Sequence, residues 1–157
     1  MTAARRREKA ARVLLLIVFG GLFVRAAAAA LVLNPATGLA ISGFDPVAYF
    51  TEAKAEAGRP EVELSADGAV WRFLNEGNRA AFEAHPEVYQ PAFGGYDVVA
   101  IARERAVPGH PLIWRIVEGR LYLFYSEQNL ADFLADPARV LAAADRKWPA
   151  VEVSIGR

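Results

Sequence analysis

The feature that most limits what this chain can fold into is a repeat. Gly68, Phe73, Glu76, Asn78, Phe82 and Pro86 recur as Gly119, Phe124, Glu127, Asn129, Phe133 and Pro137, each 51 residues further on and without a gap. Trp71 meets Tyr122, aromatic for aromatic. A constant offset over such a span marks the duplication of one supersecondary unit, and two copies that cannot each bury an apolar face alone must pack together.

The unit itself is legible. Glu61-Val62-Glu63-Leu64 alternates polar and apolar, Ser65-Ala66-Asp67-Gly68 supplies turn residues, and Ala69 to Leu74 resumes with β-branched and aromatic side chains. This predicts a β-hairpin. Asn75 then caps a helix carrying Ala81 and Phe82, which ends near His85-Pro86 because the residue before proline avoids helical geometry. In the second copy Leu112–Val117 and Leu121–Tyr125 flank Glu118-Gly119, and Ser126 caps a helix with Leu130, Phe133 and Leu134 on one face. A further helix through Val140, Leu141 and Ala144 is expected to close at Trp148-Pro149, with a short final strand over Val151, Val153 and Ile155. The fold class is α+β, with duplicated β-hairpin plus helix units packed into one small domain.

Ahead of the first hairpin, Asp45-Pro46 reads as an N-cap with proline at the first helical position. Between the copies lies Pro91-Ala92-Phe93-Gly94-Gly95-Tyr96-Asp97, whose paired glycines allow a turn that side chains would obstruct. A junction of two halves is where chemistry could gather.

Residues 1–30 have the three zones of an export signal. Arg5, Arg6, Arg7, Lys9 and Arg12 form a basic region, Val13 to Val24 an apolar core, and Ala26 to Ala30 a small-residue cleavage site. The core has 12 residues, fewer than the ~20 needed to span a bilayer. An exported, periplasmic or secreted protein is expected, the alternative being an uncleaved membrane anchor over residues 13–33. The rest of the chain holds 12 basic and 17 acidic residues, a formal charge of −5, which argues against a nucleic-acid partner. The absence of cysteine removes disulfides, thiolate metal sites and thiol catalysis.

Three stretches resemble the YHS domain proteins, in particular the exported bacterial ones. They are Gly43-Phe44-Asp45-Pro46-Val47-Ala48-Tyr49-Phe50, the run from Trp71-Arg72-Phe73 through Asn78, Phe82, Pro86 and Tyr89 to Gly94-Gly95-Tyr96, and Gly119 to Ser126 continuing through Asp145 and Trp148-Pro149. The resemblance covers essentially everything after residue 40, puts residues 31–157 in one YHS-like domain, and implies a metal-associated or ligand-binding module without a defined activity. In that family the position after Gly-Gly-Tyr is commonly cysteine; here it is Asp97. A carboxylate is a hard oxygen ligand or a base, and has no redox chemistry.

The resemblance makes Asp45, Tyr49, Tyr96 and Asp97 candidate ligand-binding residues, and Asp97 with His110 candidate ligands for a divalent metal ion. Asp97 either faces a cleft lined by Tyr49, Tyr96 and Tyr125 or binds loop amides beside the glycines. His110, in Pro108-Gly109-His110-Pro111, is either a ligand or a solvated loop residue, and two ligands are too few for a closed zinc site. Ser42 and Ser126 have no His–Asp pattern around them, and no Gly-rich phosphate loop opens a helix. The expected function is binding without intrinsic catalysis. The alternatives are a structural or protein-interaction domain with a decayed metal site, and an enzyme using Asp97 as general base.

Overall fold

The computed structural model describes residues 30–156; the basic region and apolar core of the expected export signal lie outside the described residues. The chain is an α+β domain made of two hairpin-and-helix units. Strands β1 (Arg59–Ala66) and β2 (Ala69–Phe73) form one antiparallel pair, and β3 (His110–Val117) with β4 (Arg120–Phe124) form the other. Leu64 lies opposite Trp71, and Arg115 opposite Tyr122. Both pairings slip at the same place in the repeat, between Arg59 and Glu63 and between His110 and Trp114. The turns Asp67-Gly68 and Glu118-Gly119 have φ of 53° and 78°, and of 50° and 73°. Two successive positive φ values match the right-handed twist of the strands they join.

Each hairpin leads into a capped helix. The Asn75 side chain accepts the Asn78 N–H at the start of α2 (Glu76–Ala84), and the Ser126 side chain accepts that of Asn129 at the start of α5 (Glu127–Ala135). Phe82 is fully buried against Trp71 and Phe73, with ring centroids 4.7 and 5.4 Å away. Phe133 sits in the same way 5.8 Å from Tyr122 and 5.1 Å from Phe124. Burying a phenylalanine of this kind stabilises by about 1.5–3 kcal/mol, and a two-stranded hairpin is marginal without such cover. The units then meet through Leu121 and Leu123, which bury into the same cluster as Trp71 and Phe73. Tyr49 packs edge-on against Trp114, centroids 5.2 Å apart.

The duplication reaches further upstream than the gapless match. Two 3-10 turns, Ile41–Gly43 and Ala92–Gly95, precede Phe44-Asp45 and Tyr96-Asp97. They share a run of left-handed residues: Ile41, Ser42 and Gly43 at φ 40°, 55° and 80°, and Phe93, Gly94 and Gly95 at 53°, 63° and 86°. Here the offset is 52, so the first unit holds one residue more ahead of its first strand. Short helices follow, α1 (Ala48–Thr51) and α4 (Val98–Ala102). Gly58 and Gly109 then donate their N–H groups to Gly43 O and Gly95 O, both at 2.9 Å. A Cβ at Gly58 would collide with the Arg72 backbone, and one at Gly109 with Leu123.

The units differ after the second proline. In the first, α3 (Pro86–Tyr89) is a single turn; in the second, α6 (Pro137–Ile155) runs for 19 residues and packs on α4. The expected final strand does not form, and α6 passes through Pro149. Val140, Ala144, Trp148, Val151 and Ile155 fall on one helical stripe against the second core cluster, and this longer period overrides the local alternation of Val151, Val153 and Ile155. Among the described residues no helix is long and apolar enough to cross a membrane.

Candidate functional site

Asp45 and Asp97 are the two buried charged side chains among the described residues, both without solvent exposure. Their surroundings are the same. One oxygen of Asp45 accepts the N–H groups of Val47 (2.8 Å) and Ala48 (3.3 Å), and the other accepts Leu74 N–H and the Asn78 side-chain amide, both at 2.7 Å. One oxygen of Asp97 accepts Val99 N–H (2.7 Å) and Ala100 N–H (3.0 Å), and the other accepts Tyr125 N–H (2.6 Å) and the Asn129 amide (2.7 Å). Each carboxylate therefore binds two amides at the start of a short helix with one oxygen, Asp97 as the N-cap of α4 and Asp45 two residues ahead of the N-cap of α1, and with the other holds the end of a hairpin to the helix that follows it. Four donors per carboxylate offset the cost of burying the charge, and no arginine or lysine is needed.

The three tyrosines do not line one cleft. Tyr49 is buried in the first core cluster and its hydroxyl donates to Pro111 O at 2.9 Å, tying α1 to the start of β3. Burial, reinforced by the Asp45 carboxylate, pushes this hydroxyl well above the ordinary tyrosine range. Tyr96 is half-buried beside Trp148, centroids 6.0 Å apart, and burial raises its hydroxyl too. Tyr125 is open to solvent, 63% exposed, although its backbone N–H is held by Asp97.

His110 is exposed at the start of β3, with its Cα paired across the hairpin to Phe124. Its Nδ1 accepts the N–H of Leu112 at 3.2 Å, so the neutral ring carries its hydrogen on Nε2. With Tyr125 it borders a cleft of about 560 Å3 formed by residues 32–35, Ser42, Phe44 and residues 108–112. Asp97 is not part of the lining; it touches the cleft through Tyr125, whose N–H its side chain holds at 2.6 Å, while its own N–H donates to the carbonyl of Val107, the residue before Pro108, at 2.8 Å.

The donor set at Asp97 and His110 does not fit a divalent metal centre. Both Asp97 oxygens are committed to protein donors, the carboxylate has no exposed edge, and one ring nitrogen of His110 is occupied by the Leu112 N–H of its own strand. Among the described residues no three His, Asp or Glu side chains stand together as a metal site. The amide-binding alternative for Asp97 is the arrangement observed; α1 begins at Ala48 behind Val47 and not at Pro46, and Asp45 accepts the Val47 and Ala48 N–H groups at its start and makes two further bonds to the hairpin end. What sequence reasoning missed is that the aspartates correspond. Gly43-Phe44-Asp45-Pro46-Val47-Ala48 and Gly95-Tyr96-Asp97-Val98-Val99-Ala100 carry the signal, hidden by the change of offset from 51 to 52.

No family model matches the chain, and neither a curated protein nor a solved structure matches it.

Two outcomes follow from the site. Asp45→Asn and Asp97→Asn each replace acceptor capacity with a donor facing donors, so each is expected to cost about 3 kcal/mol or more in urea unfolding, while His110→Ala costs less than about 0.5 kcal/mol. Equal stability of Asp97→Asn and the parent would remove the bracing role. The second outcome concerns Tyr49, whose folded state holds its proton more tightly than the unfolded chain. That contribution is complete below about pH 10 and is lost as pH rises beyond it. The stability advantage of the parent over Tyr49→Phe, about 1 to 2 kcal/mol at pH 7, should shrink above pH 10 by up to about 1.4 kcal/mol per pH unit. A gap that stays constant to pH 11 would contradict the buried-hydroxyl account.

Proposed function

We propose that this chain is an exported, YHS-like domain that binds a ligand without catalysing a reaction, and that the ligand occupies the cleft beside His110 and Tyr125. The carrying observation is the saturation of Asp97. A carboxylate that already accepts four hydrogen bonds in a closed environment has neither a free lone pair for a metal nor access to a substrate proton. The cleft bordered by Tyr125 has the opposite character: Leu112 and Tyr125 are both more than half exposed and border a volume suited to a small molecule. Asp97 contributes to binding by fixing the backbone of Tyr125, as a positioning residue. The family reading is supported by the Gly43–Phe50 sequence itself, whose Asp45 makes the first brace and whose Val47, Ala48 and Tyr49 are buried.

The site is tested by amide chemical-shift mapping of the purified protein against neutral, anionic and cationic fragments and against Zn2+ and Mn2+. The expected shifts gather at residues 32–35, 42–44, 108–112 and 125 for an organic fragment, with no stoichiometric metal uptake. Metal binding centred on Tyr96 and Asp97, or fragments that shift amides nowhere in the cleft, would defeat the reading. Export rests on the N-terminal pattern and is tested separately by intact mass in the native host. The expected loss is about 28 to 30 residues, whereas a full-length, membrane-bound species would refute cleavage.

A further inference from the structure

The chemistry of the cleft lining restricts what it can hold. Among the described residues, none of the side chains bordering it is acidic, lysine or arginine. An ionised ligand entering it would give up part of its hydration without meeting an opposite charge. The lining is mainly Phe44, Leu33, Leu112, prolines and the Tyr125 ring, a surface that favours an apolar or aromatic body.

The polar groups are few and their directions are partly settled. The Asn34 side-chain oxygen is consumed by the N–H groups of Ala36 (3.0 Å) and Thr37 (3.2 Å). His110 turns Nδ1 to its own backbone, which leaves Nε2–H at the opposite corner of the ring as a donor. The strand start carrying that ring is itself fixed, since the Gly109 N–H is held by Gly95 O at 2.9 Å and the carbonyl of Pro111 by the Tyr49 hydroxyl at 2.9 Å. A donor on a braced strand start beside an uncharged apolar surface is complementary to a neutral molecule with an acceptor oxygen.

We infer that the cleft takes an uncharged, largely apolar molecule, aromatic or similarly flat, which presents a carbonyl or ether oxygen to His110 Nε2–H. The inference rests on the cleft being the binding site and adds the class of ligand and the role of His110.

The test uses 6-propionyl-2-dimethylaminonaphthalene, a neutral fluorophore with a ketone oxygen, titrated into the purified chain, with naphthalene-2-sulfonate as the charged competitor. Saturable binding with a blue-shifted emission is expected, and the sulfonate should fail to displace the ketone at equal concentration. Leu112→Asp, at an exposed position, should weaken binding at least tenfold, and His110→Phe about fivefold, the equivalent of one neutral hydrogen bond. Val153→Asp, an equally exposed apolar position on α6, should change nothing. Melting temperatures of the variants identify any loss that comes from unfolding. Unaltered ketone binding in Leu112→Asp or in His110→Phe would overturn the inference. Displacement by the sulfonate, with amide shifts in the cleft, would overturn the ligand class while leaving the site; absence of cleft shifts with every fragment would overturn both.

Discussion

A buried carboxylate that ties the start of one helix to the end of a distant strand is the constraint on which the rest of this structure depends, and it is made twice. Asp45 joins α1 to Leu74 and Asn78, and Asp97 joins α4 to Tyr125 and Asn129. Half of each set of bonds is local, two and three residues along the chain, and half spans 28 to 33 residues. The local half is an ordinary cap, which forms wherever an Asp begins a helix. The distant half exists only when the hairpin and its helix are in place, so the cost of burying the charge is offset only in the complete fold. Such an arrangement adds specificity as well as stability, because a partly formed version leaves a desolvated charge with unmet donors nearby.

The two braces are alike, yet what is built around them is not. Gly94 corresponds to Ser42, each the middle residue of a left-handed turn. The chain before the first unit crosses Gly94, where Val32 N–H donates to Gly94 O at 2.8 Å and the Ala30 carbonyl lies where a Cβ would be. At Ser42 a side chain occupies that space and remains exposed. The same departure from symmetry recurs at the other end, where α6 covers α4 while its counterpart is one turn long. The cleft lies where the symmetry fails, with the crossing segment and Ser42 on one side and the loop of the second unit on the other. Duplication supplied a stable frame, and the parts that escaped it supply the concave surface.

Much of this frame was legible in the sequence because periodicity and turn chemistry act locally. The hairpins, both caps at Asn75 and Ser126 and the prolines that end α2 and α5 all follow from a few residues each. Pro149 was not legible in the same way. A proline lacks an N–H and opposes a helix interior, and only the stripe from Val140 to Ile155, seen against the second core, shows that packing carries α6 past it. The site was legible as a list and not as an arrangement. Asp97 holds the Tyr125 N–H and His110 pairs across the hairpin with the preceding Phe124, but Asp97 is buried and His110 exposed, and burial is a tertiary property. Tyr49, Tyr96 and Tyr125 share a residue type and a resemblance, and the fold sends them to a core, a half-buried helix contact and the surface.

The correspondence of the aspartates changes what the residue at 97 means. Taken alone, an aspartate where YHS proteins commonly carry cysteine invites the idea of a metal or thiol centre that has been altered. Its twin at 45 has the same four kinds of partner, in a unit where the resemblance itself has Asp-Pro. Position 97 therefore needs no lost chemistry to explain it: both halves require an acceptor for two helix-start amides, one strand-end amide and one asparagine. A cysteine there would offer a single weak acceptor to those four donors, and a chain on this plan that carried one would have to satisfy them by other means. The carboxylate at 97 is a structural acceptor, and what it holds in place is the strand end at Tyr125 together with the start of α4.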